Sequence, residues 1–205
     1  MTGTAVYDTF ADREPGFATA QLTRYGRTVR TVGLTAAPVT TRGGMRVQPG
    51  LPLDGLAPGD SELLILTSAF LWDRGDALAP FARAARTFLD AGVPVAALCG
   101  ATAGPAREGL FDGRSHTSAA PWHLAATRYA GGAHHVEADA VTDDGGKPDA
   151  GGAPRGALVT AGPAEPVAFA REILGLLGVF EPEKLDAWYR LFHDSDTSAY
   201  EVLEG

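Results

Sequence analysis

The sequence predicts an α/β protein whose mostly parallel sheet carries helices on both faces. Three observations support this class: short apolar runs typical of buried strands, helical repeats between those runs, and glycines that follow the helices. At 205 residues the chain is long enough for one such core. We therefore predict one domain over residues 1–205, with a helical extension at about 180–205.

Apolar residues that run or alternate over a few positions predict the strands. In Glu62–Thr67 the apolar run is unbroken, which indicates a central strand buried on both faces. Pro38–Asp60 is rich in Gly and Pro, and we expect loops and a hairpin there. Two further strands are predicted over Arg114–Ser118 and His135–Ala140. The strands predicted for the main sheet are Thr4–Asp8, Arg27–Leu34, Glu62–Thr67, Val93–Leu98 and Ala157–Ala161.

Apolar residues spaced three or four apart predict the helices. Asp76 is a capping residue type, and the repeat that follows it ends at Gly92. The segment Asp143–Gly156, rich in Gly and Pro, is predicted to be a mobile loop. The other predicted helices carry Phe17, Ala20 and Leu22, or cover Ala101–Gly109, Pro121–Tyr129, the repeat from Val167 to Leu177, and Pro182–His193.

Composition and charge exclude several classes of partner. A net charge of −8 without a Lys/Arg cluster argues against nucleic acid. The chain has no apolar segment of the roughly 20 residues that a membrane span needs, and its start lacks a secretory signal. We therefore expect a cytoplasmic protein without membrane association.

The single cysteine, Cys99, follows the predicted strand Val93–Leu98, at the sheet edge where α/β proteins bind ligands. A lone cysteine is often a small buried hydrophobe. At this position, however, a following helix would lower the pKa of the thiol, and Gly100 could offer its N–H to an oxyanion. The sequence thus favours Cys99 as a nucleophile.

Four blocks of sequence resemble one family. ALCGATAGPAREGLFDGRSHTS, from Ala97 to Ser118, is similar to the nucleophile-elbow segment of the ThiJ/PfpI superfamily, the class I glutamine-amidotransferase-like proteins. VYDTFADREPGFATAQL and ALVTAGPAEPVAFAREIL resemble its first and late strand-helix units. LDAWYRLF resembles the carboxyl-terminal segment of the bacterial amidase and protease subgroup. The resemblance implies a flavodoxin-like three-layer sandwich and a homodimer.

The resemblance also assigns roles to two residues. Cys99 falls on the family's nucleophilic or redox-sensing cysteine, and Glu14 falls on its acidic partner. A carboxyl beside a thiolate must be protonated, or it raises the pKa of the thiol, so Glu14 would act as a general acid/base. The alternative is a surface acid in the first turn of a helix, beside Pro15.

The chain departs from the family pattern at two places. Thr67, Ser68 and Ala69 replace the glycine-containing turn that supplies an oxyanion N–H in relatives, so a conformation with positive φ would be strained here. Where hydrolytic relatives have a histidine, this chain has Ala119 or a neighbour, while His116 lies three residues earlier. His116 either points toward the pocket or is an ordinary, partly exposed histidine.

The remaining candidates concern the walls of the pocket and metal binding. Trp72 is predicted either to wall the site as an aromatic platform or to pack in the core. His134 and His135 are adjacent and would face opposite sides of a strand, which is poor metal-ligand geometry. We expect neither a metal nor a cofactor.

Three functions are compatible with these residues. The first is an enzyme in which Cys99 adds to an electrophilic carbon of a small amide, carbonyl or isonitrile substrate while Glu14 moves the proton. Hydrolase, hydratase and glyoxalase activities occur on such scaffolds. The second is a noncatalytic redox or stress-responsive protein that senses through oxidation of Cys99. The third is a partner-binding module.

Overall fold

Parallel strands form the main sheet of the protein. The computed structural model describes residues 1–145 and 155–204 of the chain. The strands are β1 (Thr2–Ala5), β2 (Val29–Gly33), β3 (Val39–Thr40), β4 (Arg46–Val47), β5 (Leu51–Pro52), β6 (Leu63–Leu66), β7 (Val95–Leu98), β8 (Ala140–Asp143) and β9 (Leu158–Ala161). Within the described ranges, the main sheet has seven strands in the order β5-β2-β1-β6-β7-β9-β8. Its neighbouring strands are parallel except for the edge pair β8 and β9.

Helices cover both faces of this sheet, as the sequence predicted. They are α1 (Gly16–Arg24), α2 (Ala79–Asp90), α3 (Ala103–Arg107), α4 (Pro121–Ala125), α5 (Pro166–Leu176), α6 (Pro182–His193) and α7 (Tyr200–Glu204). None of the helices in the described ranges is long and apolar enough to cross a membrane. The predicted α/β class, with a mostly parallel sheet between helices, is confirmed.

The unbroken apolar run of β6 is explained by a core on each side of the sheet. Because successive side chains of a strand point to opposite faces, Leu63 and Ile65 pack with residues of α1, α5 and α6. Leu64 and Leu66 pack on the other face with residues of α2, α3 and α4. Both cores are therefore built around the same central strand.

Two of the predicted strands, Arg114–Ser118 and His135–Ala140, are wrong. These segments meet only at an isolated bridge between His116 and His135. The N–H of Thr117 donates to the Thr160 hydroxyl at 2.8 Å, so a side chain takes a donor that a longer ladder would need. The edge strand is β8 instead, antiparallel to β9.

Other boundaries differ for local reasons. β1 starts at Thr2 rather than Thr4, because the Thr2 hydroxyl donates to Glu62 at 3.2 Å and a polar residue can therefore be buried there. The helix predicted to reach Tyr129 ends at Ala125, and Arg128 adopts φ 65°, which a helix cannot contain. Of the predicted mobile loop, residues 146–154 lie outside the described residues.

The strand order brings three chain segments together at one sheet edge. From β1 the chain adds β2 and β5 on one side, and then crosses to place β6, β7 and β9 on the other. Such a switch point leaves a crevice at the carboxyl ends of the strands that flank it. Glu14 follows β1, Ser68 follows β6 and Cys99 follows β7.

Candidate active site at the Cys99 turn

Cys99 occupies a strained turn directly after β7. Its φ is 55°, in the left-handed region that a residue with a Cβ rarely adopts. The turn is held by Thr102, whose hydroxyl donates to the Cys99 carbonyl at 2.6 Å. The thiol is half-buried, and the backbone N–H of Gly100 beside it opposes the rise in its pKa. The backbone therefore places the sulfur at the sheet edge at a cost in strain.

This strain gives a first prediction about stability. Cys99→Gly is expected to be more stable than Cys99→Ala by about 0.5–1 kcal/mol, because glycine adopts positive φ freely and both variants lack the thiol. Thermal or urea unfolding of the two variants measures the difference.

Ala101 supplies the matched control, since it lies in the same turn without a positive φ. Ala101→Gly should lower the free energy of unfolding, because glycine there only adds entropy to the unfolded chain and removes a buried methyl group. If glycine destabilises both positions equally, Cys99 does not carry strain.

Glu14 is buried beside this turn rather than exposed at the start of a helix. Its side chain is 1% exposed, and the N–H of Ser68 donates to Oε2 at 2.7 Å. Oε1 is buried without a hydrogen-bond partner among the described residues. Burial raises the pKa of the Glu14 carboxyl from 4.5 to about 7, against the opposing effects of Ser68, Arg13 and Arg42. Near neutral pH, this carboxyl is therefore able both to hold and to release a proton.

The Cys99 thiol and the Glu14 carboxyl influence each other's charge. Burial, and then the charge of Glu14, raise the pKa of Cys99, although Ser68, Gly100 and Arg42 oppose them. The expectation that a following helix lowers this pKa is wrong, because burial and the charge of Glu14 outweigh the backbone N–H of the short 3₁₀ turn that follows the cysteine. The two groups therefore form a coupled pair in which a charge on one disfavours a charge on the other.

The turn after β6 supports this pair without a glycine. Neither Ser68 nor Ala69 has a positive φ, so the replacement of the glycine turn causes no strain of that kind. The Ser68 N–H is already engaged by Glu14. A Cβ on Gly100 would lie 3.4 Å from the Ser68 hydroxyl and 4.0 Å from the Ala69 carbonyl oxygen, so the two turns pack closely.

Trp72 lies in the core beneath the site. It is 1% exposed, and its indole Nε1 donates to the Tyr7 hydroxyl at 2.9 Å and to the Thr67 carbonyl at 3.0 Å. A Cβ on Gly104 would meet the indole ring at 2.4 Å, so α3 approaches the ring through a glycine. Two roles were considered for Trp72, an aromatic wall of the site and a residue of the core. The contacts in the structure are those of a core residue.

His116 is buried away from these contacts. Its Nδ1 lies 2.8 Å from the Arg114 carbonyl oxygen, and its ring stacks on Phe111 with a centroid distance of 4.6 Å. Tyr129 and His135 meet the same ring edge-on. Burial lowers the pKa of His116, which favours the neutral ring. The structure thus joins Cys99, Glu14, Ser68 and Gly100, and surrounds His116 with a separate set of residues.

Sequence reasoning missed two residues that bear on the site. Tyr7 is buried under the turn after β6, and its hydroxyl donates to the Thr67 carbonyl oxygen. Arg42, in the β3–β4 hairpin, lowers the pKa of both Glu14 and Cys99. Tyr7 could have been found from the sequence, because an aromatic residue directly after a buried strand is a candidate for a place at the sheet edge. Arg42 had no such signal, because its proximity depends on how the hairpin folds back.

One group of side chains in the described ranges resembles a metal site in spacing. Ligand atoms of Asp139, Glu165 and His193 lie within 4.8 Å of one another. Exposed acidic groups often lie this close without an ion, so we assign no metal to this cluster. It contains no residue of the Cys99 turn.

The fold and the site together define a class of α/β proteins that carry a cysteine at a strained strand-to-helix turn, beside a buried carboxyl group. The chain belongs to the DJ-1/PfpI family, whose model matches residues 4–175. The ThiJ/PfpI resemblance seen in the sequence is therefore confirmed.

Individual relatives support the same assignment. An uncharacterized protease, YoaZ of Bacillus subtilis, is 33% identical over 196 residues, which cover 91% of this chain and 87% of that protein. The thiJ/pfpI family protein of Bacillus anthracis is 30% identical with a TM-score of 0.86, covering 100% of this chain and 96% of that one. Protein Atu0886 of Agrobacterium tumefaciens, from the DJ-1 superfamily, is 31% identical with a TM-score of 0.82, covering 95% and 97%.

Proposed function

We propose that this protein is a cysteine-dependent enzyme that acts on a small amide, carbonyl or isonitrile, with Cys99 as nucleophile and Glu14 as general acid/base. The observation that carries the proposal is the carboxyl of Glu14, buried beside the thiol with Oε2 bound by the Ser68 N–H and Oε1 unpartnered among the described residues. Family membership and the protease name given to YoaZ agree with hydrolytic chemistry. A hydratase or glyoxalase reaction would use the same two groups.

The proposed step moves one proton and forms one bond. The Cys99 sulfur adds to the electrophilic carbon while the thiol proton passes to the ionised Glu14 carboxylate. Glu14 then gives the proton to the atom that received the electron pair, which is the oxygen of an amide or carbonyl and the attacked carbon of an isonitrile, so no atom is lost in the addition. A carboxyl with a pKa of about 7 suits both transfers near neutral pH. The N–H groups of Gly100 and Ala69 are the proposed oxyanion donors.

Reactivity of the single thiol tests this proposal. Cys99 of the native protein should react with iodoacetamide, and Glu14→Gln should lower the apparent pKa of the thiol, because the charge of Glu14 raises it. If the pKa of the thiol falls by about one unit, the thiolate fraction rises about tenfold. A thiolate of lower pKa is also about threefold less nucleophilic, so the rate should rise about threefold. The gain should appear near pH 8 and vanish near pH 6, where Glu14 of the native protein is mostly protonated.

Intact mass supplies the readout and the control. The native chain should gain one adduct, and Cys99→Ser should gain none while unfolding at a similar temperature, since the chain has one cysteine. Cys99→Ser should also abolish turnover of any substrate that is identified. Resistance of Cys99 to alkylation until the protein unfolds would refute the nucleophile and restore the alternative of a small buried hydrophobe.

The second candidate is a redox-responsive protein that oxidises Cys99. The Gly100 N–H, which lowers the pKa of the thiol, favours it, because the same donor would stabilise a sulfinate oxygen. Mild peroxide separates the two functions. A gain of two oxygens on the native protein without turnover supports sensing, whereas a trapped substrate adduct supports catalysis.

We also propose a cytoplasmic homodimer of single-domain chains. Exposed aromatic side chains support a second subunit, notably Trp122 at 76% and Tyr200 at 52% exposure. Sedimentation at low micromolar concentration tests the dimer, and a monomer there would refute it.

A further inference from the structure

Arg42 lies in the turn of the β3–β4 hairpin, which a backbone hydrogen bond and an aromatic contact hold in place. Its backbone N–H donates to the Phe10 carbonyl at 2.8 Å, which fixes the hairpin to the loop between β1 and α1. Its guanidinium carbon lies 4.3 Å from the centre of the Phe70 ring. Stacking on an aromatic face orients the guanidinium plane and leaves its N–H edge free.

The charge of Arg42 acts on Glu14 and Cys99 from a distance rather than through a direct ion pair. Within residues 1–145 and 155–204, Arg42 forms no ion pair. Asp12, on the segment that the hairpin contacts, turns its Oδ2 to the Thr41 hydroxyl at 2.7 Å and to the Gly43 N–H at 3.2 Å. Thr41 and Gly43 of the hairpin therefore bind the Asp12 carboxylate, and Arg42 forms no ion pair with it.

Arg42 and Phe70 belong to the same sheet edge as the reactive pair. Phe70 follows Ser68 by two residues, and the Ser68 hydroxyl lies 3.4 Å from where a Cβ on Gly100 would be. The positive charge of Arg42 reaches both the Cys99 thiol and the Glu14 carboxyl. A cation and an aromatic face thus lie at the same sheet edge as the half-buried thiol and its buried carboxyl partner.

We propose that Arg42 determines substrate specificity by binding a carboxylate, so that the substrate is a small carboxylic acid whose electrophilic carbon lies next to the carboxylate. This inference rests on the proposed function of Cys99. A planar guanidinium can bind a carboxylate through two parallel hydrogen bonds. A substrate carboxylate bound by Arg42 would neutralise the guanidinium charge. The substrate carbon next to that carboxylate would then face the Cys99 sulfur.

The pair of reagents iodoacetate and iodoacetamide tests the inference on the single thiol. Both form the same S–C bond at the carbon next to a carbonyl group and release iodide, but only iodoacetate carries the carboxylate. Arg42→Gln also raises the pKa of Cys99, because Arg42 lowers it in the native protein. That change slows both reagents alike, so at a pH well above 7, where Glu14 is ionised in every variant, the ratio of their rates isolates the contribution of Arg42 to carboxylate binding.

At low ionic strength the iodoacetate to iodoacetamide ratio should fall about fivefold in Arg42→Gln, a typical size for one partly screened charge pair. Arg46→Gln is the matched control, since it removes the same charge from strand β4 of the same hairpin, whereas Arg42 lies in the turn, and its ratio should stay at the native value. Arg42→Lys, which keeps the charge but not the planar fork, should fall between them.

The outcomes separate this inference from the proposed function. An unchanged ratio in Arg42→Gln, with normal reaction of iodoacetamide, overturns the role of Arg42 and leaves the nucleophile intact. An equal fall in Arg46→Gln also overturns it, because the effect would then reflect the overall charge. A folded protein that reacts with neither reagent overturns the proposed function and this inference together.

Discussion

Glu14→Gln should make the protein more stable at alkaline pH, and by an amount that grows with pH. Folding raises the pKa of the Glu14 carboxyl from 4.5 to about 7, so the folded protein holds this proton more tightly than the unfolded chain. The native protein therefore loses stability as the pH rises from 4.5 to 7. The penalty is then complete and is about 3 kcal/mol. The amide introduced by Glu14→Gln carries no charge and avoids this penalty.

The measurement is the melting temperature of both proteins from pH 5 to pH 8. The stability difference should increase by about 2–3 kcal/mol over this range, or about 5–10 °C for a chain of this length. Reading the increase, rather than the difference at one pH, removes any constant effect of the new amide on packing. Glu137→Gln is the matched control, because Glu137 is exposed and the substitution should leave the pH dependence unchanged. If the stability of Glu14→Gln and of the native protein depends on pH in the same way, folding does not raise the pKa of Glu14 and the prediction is wrong.

Arg114→Met should destabilise the protein by about 3–5 kcal/mol. Arg114 is 7% exposed, its Nε donates to Asp143 at 2.8 Å, and its Nη2 donates to the Gly156 carbonyl at 2.9 Å. Burial alone would raise the pKa of Asp143, but hydrogen bonds and charge from Arg114 outweigh it and hold the pKa below its usual value. Removing the guanidinium leaves a partly buried carboxylate without its counter-charge, which costs far more than the pair itself contributes.

A second arginine provides the comparison for this ion pair. Arg86 pairs with Glu108 at 3.4 Å, but 46% of its side chain is exposed. Arg86→Met should therefore cost less than about 1 kcal/mol. Thermal unfolding of both variants at pH 7 should show a fall of about 10 °C or more for Arg114→Met and little for Arg86→Met. Equal losses would mean that burial of the Arg114 pair has no bearing on its contribution.

These expectations describe a site that is maintained at a cost in stability. The positive φ of Cys99 and the buried carboxyl of Glu14 both oppose folding, and the two cores on the faces of β6 compensate for them. Substitutions that relieve the strain or remove the charge are expected to stabilise the fold while removing the proposed chemistry.

The sequence alone determined the architecture and the identity of the two central residues. Unbroken apolarity in β6 and β7 predicted strands buried on both faces, because only a sheet between two helical layers can bury every side chain of a strand. The position of Cys99 after β7 placed it at the ligand-binding edge, since parallel strands end at the same side of a sheet. The family resemblance supplied Glu14, which local patterns alone would have assigned to a helix start.

Only the tertiary structure decided how these residues behave. Whether Cys99 has a raised or a lowered pKa depends on burial and on a carboxyl 85 positions earlier in the chain, so the local helix signal gave the wrong direction. The edge strand β8 and the role of Arg114 likewise depend on contacts with Asp143 and Gly156 that no local pattern encodes. Arg42 reaches the site only because its hairpin folds back onto the loop after β1. Charge and burial are sums over spatial neighbours, and those neighbours are set by the packed sheet rather than by the order of the chain.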